Sequence, residues 1–249
     1  MVIVYSFWDK PNKRKWYNEK YQWYSLALSV YQSNLYYGNS IMHTTIKQKE
    51  FFEKLEIPFT EISTSLEDVK YDNRIWAIGK VLTYYIQEEP FIHIDNDLIL
   101  YEKIPDFDDV LVEKKESFDI PFYKDGYDYA LIRCQENFKK PYIEINNSVS
   151  AGVYGVKNLV LNKEYCSEVF EICDNNKIYL ESQRDLKAFM IILEQYTLAC
   201  NIVNSNVVEL ESKHLHLTSD KYNHKYYEQI RCEVEEKMKN VYNNINKYV

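Results

Sequence analysis

The sequence contains little glycine, five residues among 249, and its cysteines form no recognisable pattern. The five cysteines are odd in number, and no two have the Cys-x-x-Cys spacing of a zinc or redox site. A disulfide framework is therefore not expected, and reduced cysteines of a cytoplasmic protein are the better interpretation. The chain is long enough for one large α/β domain or two small ones with a sizeable hydrophobic core.

Long apolar runs and an excess of positive charge are also missing. No apolar stretch reaches the roughly 18–20 residues that a transmembrane helix needs. The first five residues enter a strand pattern directly, without a basic region or a cleavage site, so we expect no secretory signal. A net charge of −8 argues against a nucleic-acid partner. The predicted location is cytoplasmic, with peripheral attachment at the inner membrane as an additional expectation.

Segments of strand and helix character alternate through the first hundred residues. Apolar runs and the breakers between them predict strands at 2–7, 40–45, 59–62 and 91–94, and helices at 14–36, 46–55 and 73–88. This alternation predicts an α/β fold with a mostly parallel central sheet flanked by helices. Ligands of such sheets bind at the carboxyl ends of the strands.

The second half of the chain has a more mixed texture. Prolines, acids and aromatics between 101 and 147 predict loops and short strands. Further on we predict a strand at 149–156, helices at 158–175 and 186–199, strand and loop at 206–217, and one charged amphipathic helix at 222–247. There is no internal repeat, low-complexity linker or clear domain boundary, which favours a single domain.

Two acids interrupt an apolar segment of strand character. Asp95 and Asp97 follow the apolar run at 91–94 and precede another at 98–100. Burying an acid beside such a strand costs several kcal/mol unless a metal ion or a hydrogen-bond network compensates. Carboxylates are hard oxygen ligands that suit Mg²⁺ or Mn²⁺. The sequence therefore predicts a divalent cation here, in the manner of the Asp-x-Asp element that holds a nucleotide-sugar pyrophosphate.

A lysine stands fifteen residues before the first of these acids. Lys80 lies in the run Gly-Lys-Val-Leu-Thr-Tyr-Tyr at 79–85, within the helix that leads to Asp95. This layout resembles glycogenin-like glycosyltransferases of the GT-A nucleotide-sugar fold, in which a lysine at this place reaches the donor. The resemblance implies a nucleotide-binding half at 1–100, an acceptor and sugar half at 101–221 and a C-terminal helix at 222–249. A solvated helix lysine is the alternative.

A glycine-containing strand is the second point of resemblance. The run Ser-Ala-Gly-Val-Tyr-Gly at 150–155 is similar to an Asn-Ser/Ala-Gly-Val-Phe strand of that family. Ser150 replaces the family's asparagine, and Asn147 is a candidate to substitute for it in donor binding. Gly152 permits close approach of a ligand to the backbone. A purely structural glycine is the alternative.

Two further motifs follow in the family's order. Glu194 and Gln195 begin a Glu-Gln-x-x-Leu element that resembles the family's Asp-Gln-x-x-Leu, which implies a catalytic place near the sugar. The alternative is an ordinary surface pair. His216 and Lys221 resemble the C-terminal His…Gly…Lys segment, whose histidine completes the metal site and whose lysine binds pyrophosphate. An imidazole beside two carboxylates suits Mn²⁺, and His214 is the alternative ligand.

Some aromatic and polar residues complete the predicted donor site. Tyr5 or Trp8 is a candidate to stack on the nucleotide base, with a core position as the alternative. Arg74 is a candidate for phosphate or ribose, with a surface role as the alternative, and Asn96 lies between the two acids. The aromatic-rich segment at 118–142 is the predicted cover on the acceptor side.

The implied function is metal-dependent transfer of a sugar from a nucleotide-sugar donor to a hydroxyl of a carbohydrate or glycolipid acceptor, as in surface polysaccharide synthesis. A catalytically silent nucleotide-sugar-binding or glycan-binding protein of the same fold is the alternative, because Ser150 and Ser219 depart from the family pattern. A haloacid-dehalogenase-type phosphatase is disfavoured, since Ile99 stands where Thr or Val is expected. A nucleotidyltransferase is disfavoured because the basic run at 9–15 has no glycine.

Overall fold

A computed structural model describes residues 1–8, 16–117, 147–177, 186–218 and 220–249 of the chain. Its strands are β1 Val2–Ser6, β2 Ser40–His43, β3 Glu61–Ser63, β4 Phe91–Ile94, β5 Leu98–Leu100, β6 Val110–Ser117, β7 Asn147–Val156, β8 Val207–Glu209 and β9 His214–His216. Its α-helices are α1 Glu19–Tyr37, α2 Ile46–Leu55, α3 Ala77–Tyr85, α4 Leu159–Asn175, α5 Lys187–Ile191, α6 Thr197–Asn201, α7 His224–Lys237 and α8 Lys239–Tyr248. A π-helical turn, Ile192–Tyr196, joins α5 to α6, and a short 3₁₀ turn, Asp220–Tyr222, precedes α7.

The central sheet has the strand order β3-β2-β1-β4-β7-β6-β8. Each pair of adjacent strands is parallel, except that β7 runs antiparallel to both β4 and β6. The predicted fold class, a mostly parallel sheet flanked by helices, is therefore confirmed. Strands from both halves of the chain share this sheet.

A second, two-stranded sheet was not predicted. Strand β5 pairs antiparallel with β9, and its register places Leu98 opposite His216. The chain turns sharply between β4 and β5, where the Leu98 amide donates a hydrogen bond of 3.0 Å to the Asp95 carbonyl. The pairing brings the C-terminal histidine segment beside the two acids that follow β4.

Hydrophobic layers cover both faces of the central sheet. In β1, Ile3 and Tyr5 join the layer that includes α1, α7 and α8, while Val4 joins the layer that includes α3, α4 and α5. Alternate side chains of a strand point to opposite faces, so this division is what a strand buried on both sides requires. The core thus fixes the sheet between helices and leaves the strand ends to form a site.

The long N-terminal helix has clear start and stop signals. Asn18 caps α1 through its side chain, which accepts a hydrogen bond from the Lys20 amide. Gly38 ends the helix in the left-handed conformation, with φ of 70°, and its amide donates to the Asn34 carbonyl. The predicted end of this helix near Gly38 is confirmed, whereas its predicted start extends into residues outside those described.

The prediction of one C-terminal helix is wrong. Helix α7 ends at Lys237, Met238 takes a non-helical backbone conformation, and α8 begins at Lys239. The break lets each helix turn its own apolar side chains toward the layer that contains α1. These side chains are Ile230, Val234, Val241 and Ile245.

Helix α3 is shorter than predicted, since it begins at Ala77 and not at residue 73. The preceding turn is held by the Asp72 side chain, which accepts hydrogen bonds from the backbone amide and the side chain of Arg74. None of the helices in the described part of the chain is long and apolar enough to cross a bilayer. Cys166 and Cys232 are free thiols.

Candidate functional site

The two acids lie in the turn that follows the carboxyl end of β4. The Asp95 amide donates a hydrogen bond of 2.8 Å to the Gly152 carbonyl of β7, and the Leu217 amide donates one of 3.0 Å to the Asp97 carbonyl. The turn is thus held from two sides, by the central sheet and by the residue after β9. This is the edge of the sheet at which ligands of parallel α/β folds bind.

Asp95, Asp97 and His216 form a candidate metal site. One ligand atom from each residue lies within 4.8 Å of the other two. The Nε2 atom of His216 is 3.6 Å from a carboxylate oxygen of Asp97. Two carboxylates and one imidazole are a donor set that fits Mn²⁺, and also Mg²⁺ through the oxygens.

His214, the alternative ligand, has other contacts. Its Nδ1 atom is 2.7 Å from the Ser212 carbonyl, and its Nε2 atom is 3.8 Å from a carboxylate oxygen of Glu113. It does not belong to the cluster of three ligand atoms described above. The geometry therefore favours His216.

Lys80 is a buried cation at the centre of the site. Its ammonium group lies 2.7 Å from Asp95, 2.5 Å from Glu194 and 2.7 Å from the carbonyl of Ala151. Burial lowers the pKa of Lys80, but the charges of Asp95 and Glu194 raise it by more, so the net pKa lies above its usual value. The alternative of a solvated helix lysine is wrong, because only 6% of Lys80 is exposed.

Glu194 is buried as well, with 3% of its surface exposed. It lies in the π-helical turn between α5 and α6, while Gln195 is half-buried beside it. π-helical turns are rare and occur frequently at functional sites. The alternative of a surface Glu-Gln pair is therefore wrong for Glu194.

Lys221 provides a second cation, from the 3₁₀ turn after β9. Its ammonium group contacts a carboxylate oxygen of Asp97 and lies 5.3 Å from the centre of the Trp16 ring. Burial raises the pKa of Asp97, but the neighbouring imidazole of His216 and the charge of Lys221 lower it by more. The net effect holds the pKa of this carboxyl well below its usual value, so Asp97 is ionised.

Glu113 belongs to the same cluster and was missed in the sequence. It accepts a hydrogen bond of 2.8 Å from Nδ1 of His216 and one of 2.6 Å from the hydroxyl of Ser150. An acid directly after the apolar run at 110–112 is the same signal that the acids after β4 gave, and it could have found Glu113.

The histidine and the acids of this cluster shift each other's protonation. Burial raises the pKa of Glu113, but the neighbouring imidazoles of His214 and His216 lower it by more, and the net pKa lies below its usual value. Burial lowers the pKa of His216, but the neighbouring carboxylates of Asp97 and Glu113 raise it by more, to about 10. Glu113 is therefore ionised, as Asp97 is, and a cation at this site would compete with a proton for His216.

Gly152 has a structural reason that the sequence did not show. A Cβ atom at this position would lie 2.6 Å from Cε1 of His216 and would also collide with Glu113. The space beside Gly152 is therefore filled by the side chains of Glu113 and His216. This supports the alternative that the glycine has a structural role. Ser150 likewise faces Glu113. Asn147 is the first residue of β7, opposite Ser117.

Tyr5 is a core residue, and the prediction that it stacks on a base is wrong. The side chain is completely buried, and its hydroxyl bonds to Ser29 at 3.0 Å and Ser33 at 2.8 Å, both on α1. Trp8 lies beyond the end of β1 and is half-buried. Trp8 packs closely on Gly79 of α3. A Cβ atom added at Gly79 would lie 2.7 Å from the Cβ of Trp8.

The remaining predicted donor residues have protein partners. Arg74 forms an ion pair with Asp72, whose side chain is about a quarter exposed, at 26%. The side-chain amide of Asn96 donates a hydrogen bond of 2.9 Å to the Ser6 carbonyl, which ties the acid turn to the end of β1. The predicted acceptor cover at 118–142, the basic run at 9–15 and Ser219 lie outside the described residues.

Fold and site together define an α/β protein with a candidate metal centre at the carboxyl edge of its sheet. A family model matches residues 1–207, and the chain belongs to that family, DUF6734, described as a family of unknown function. No curated protein sequence matches the chain.

Solved structures with a similar course of the chain include two described as glycosyltransferases. GlyE of Streptococcus pneumoniae TIGR4 shares 11% identity, with 84% of this chain and 45% of that chain covered and a TM-score of 0.39. The PaToxG glycosyltransferase shares 12% sequence identity, with 99% of this chain and 86% of that chain covered and a TM-score of 0.46. An inositol-1-phosphate CTP transferase from T. maritima shares 12% sequence identity, with 95% of this chain and 97% of that chain covered and a TM-score of 0.44. This chain thus spans less than half of GlyE, and likenesses this distant say nothing about function.

Proposed function

We propose that this protein is a metal-dependent glycosyltransferase that moves a sugar from a nucleotide-sugar donor to an acceptor hydroxyl. The observation that carries the proposal is the cluster of Asp95, Asp97 and His216 at the carboxyl edge of the sheet. Lys80 and Lys221 each contact one of its two acids. A cation and two ammonium groups in one place suit the negative oxygens of a nucleoside diphosphate.

Asp95, Asp97 and His216 would hold the cation, which we propose to be Mn²⁺ or Mg²⁺. When bound, the cation would supply neutralisation of the charge that develops on the leaving diphosphate. The donor set fits this role, because a hard carboxylate pair and a borderline imidazole nitrogen suit such ions. The buried carboxylate of Asp97 already requires positive partners, since a buried unpaired charge is costly.

The two lysines would assist electrostatically, through their positive charge near the diphosphate. Lys80 is held rigidly by three oxygen contacts, so its ammonium group would need little reorganisation when charge develops nearby. Lys221 is held by its contact with Asp97 and lies over the Trp16 ring. We propose further donor contacts from Trp8, Arg74, Asn96 and Asn147.

Glu194 and Gln195 are the proposed catalytic residues near the sugar. Glu194 holds Lys80 in the arrangement described, and its negative charge would favour the positive character that grows at the anomeric carbon. If the reaction inverts configuration, a carboxylate must also accept the proton of the acceptor hydroxyl. The acceptor we propose is a carbohydrate or glycolipid, and the setting is surface polysaccharide synthesis at the cytoplasmic side of the inner membrane.

A donor screen tests the proposal. The purified protein is incubated with a panel of nucleotide sugars, with Mn²⁺, with Mg²⁺ and with a chelator, and the release of nucleoside diphosphate is measured. We expect release from at least one donor, dependent on the metal and lost in Asp97→Asn. Metal-dependent nucleotide binding without turnover of any donor would favour the silent binding protein, and turnover that survives chelation would overturn the metal role.

A further inference from the structure

The carboxylate of Glu113 contacts the proposed metal ligand His216 through the ring nitrogen that faces away from the metal site. Glu113 lies 2.8 Å from Nδ1 of His216, on the side of the ring away from Asp97. The opposite ring nitrogen, Nε2, is the atom that faces Asp97. The imidazole is therefore held between two carboxylates, and only one of them belongs to the candidate metal site.

The contact decides which nitrogen keeps its proton. A carboxylate oxygen accepts hydrogen bonds, and Oε1 of Glu113 lies 2.8 Å from Nδ1 of His216, so Nδ1 is the donor of this hydrogen bond. A histidine must present an unprotonated nitrogen to a metal ion. With the Nδ1 proton held by Glu113, Nε2 is the nitrogen available to a cation, and it is the one that points toward the acids.

The surroundings hold Glu113 in this orientation. Its second carboxylate oxygen accepts a hydrogen bond from the Ser150 hydroxyl, with an oxygen–oxygen distance of 2.6 Å. Glu113 lies where the register between β6 and β7 shifts, between Val112 and Lys114, so an irregular strand directs its side chain to the site. Gly152 leaves the space that the pair of Glu113 and His216 fills. Three separate features of the chain thus converge on one hydrogen bond.

We propose that Glu113 is a positioning residue that fixes the orientation and tautomer of His216, so that Nε2 is presented to a divalent cation bound by Asp95 and Asp97. The proposal rests on the metal site of the proposed function. Carboxylate partners of this kind raise the basicity of a ligating histidine, and their loss typically costs about 10–100-fold in metal affinity. Ser150 then holds the Glu113 carboxylate, and Gly152 leaves room for the contact between Glu113 and His216.

The affinity for Mn²⁺ tests the proposal without any turnover. Binding is followed by the electron paramagnetic resonance signal of free Mn²⁺, for wild type, Glu113→Ala and Glu113→Gln. We expect Glu113→Ala to lose about 10–100-fold in affinity. Glutamine keeps an oxygen that accepts from Nδ1 and an amide that reaches Ser150, so Glu113→Gln should recover most of the loss. Glu116→Ala, on the same strand but paired with Lys114, is the matched control and should bind as wild type does.

A double-mutant cycle separates positioning from a simple effect of charge. In a His216→Gln background, Glu113→Ala should cause no further loss of Mn²⁺ affinity, because its partner is already gone. An equal further loss in that background would overturn the proposal, and so would unchanged affinity in folded Glu113→Ala protein. Wild-type protein that binds no Mn²⁺, with or without UDP, would instead overturn the proposed function and this inference with it.

Discussion

Lys80 and Glu194 form an ion pair of 2.5 Å in the interior of the protein, between α3 and the π-helical turn. The pair joins two motifs that are far apart in the sequence. Both partners are buried, so removing Lys80 would leave the charge of Glu194 without this partner, whereas removing Glu194 would leave Lys80 paired with Asp95 alone. The same contact therefore bears on stability and on the proposed chemistry.

Lys80→Met should destabilise the protein by about 3–5 kcal/mol, the cost typical of breaking a buried pair. The free energy of unfolding, measured with urea, checks this. Lys80→Met combined with Glu194→Gln should lose much less than the sum of the two single changes, because the unpaired charge is removed. Additive losses would show that the pair does not couple, and Lys49→Met, from an exposed pair, is the control.

Asp97→Asn should abolish the strengthening of UDP binding by Mn²⁺. The substitution removes a charge from the candidate metal site and from the contact with Lys221. Titration calorimetry of UDP with and without Mn²⁺ measures the effect. Asp106→Asn, in an exposed pair with Lys157, should retain the full metal effect. Equal UDP affinity with and without metal in wild type would count against a metal bridge.

Glu194→Gln should lower turnover by on the order of 10²-fold while changing nucleotide affinity far less. Groups that act mainly in the transition state reduce the rate without weakening ground-state binding. Steady-state kinetics and calorimetry on the same preparation check this. A parallel loss of both quantities would assign Glu194 to donor binding, and Glu168→Gln on α4 serves as the control.

Gly152→Ala and Gly155→Ala form a matched pair of substitutions in β7. In each case the new Cβ would meet a neighbour at 2.6–2.7 Å, namely His216 at the first position and Phe107 at the second. Overpacking of this kind costs about 1–3 kcal/mol in stability. We expect both variants to be destabilised, but only Gly152→Ala to lose Mn²⁺ affinity. Equal Mn²⁺ affinity in the two variants would show that Gly152 has no part in the metal site.

His43 should make stability depend on pH. Burial lowers the pKa of His43 to about 4, against a usual value of 6.5. Below pH 6.5 the unfolded chain takes up a proton that the folded protein takes up only near pH 4, so stability falls as the pH falls through this window. The contribution amounts to about 3 kcal/mol at the acid end. Urea unfolding of wild type and His43→Gln between pH 7 and 4 should show a smaller pH-dependent loss in the variant, and parallel curves would refute this.

The sequence was most informative where a residue type conflicted with its surroundings. Asp95 and Asp97 stand out because acids interrupt an apolar segment, and they do lie at the carboxyl edge of the sheet. Glu113 carried the same signal, but the partner that gives it meaning, His216, comes from a ribbon of β5 and β9 whose three-residue strands are too short for a pattern to indicate. Tyr5 was misjudged because an aromatic residue at a strand end looks alike in a core and in a site.

The ribbon of β5 and β9 sets the order in which the site can be completed during synthesis. Asp95 and Asp97 leave the ribosome well before His216 and Lys221, which are their partners across the ribbon and the following turn. Until those residues arrive, the acid turn lacks both an imidazole and an ammonium group from this segment, so a nascent chain cannot form the complete cluster. A completed site thus requires that β5 has already paired with β9.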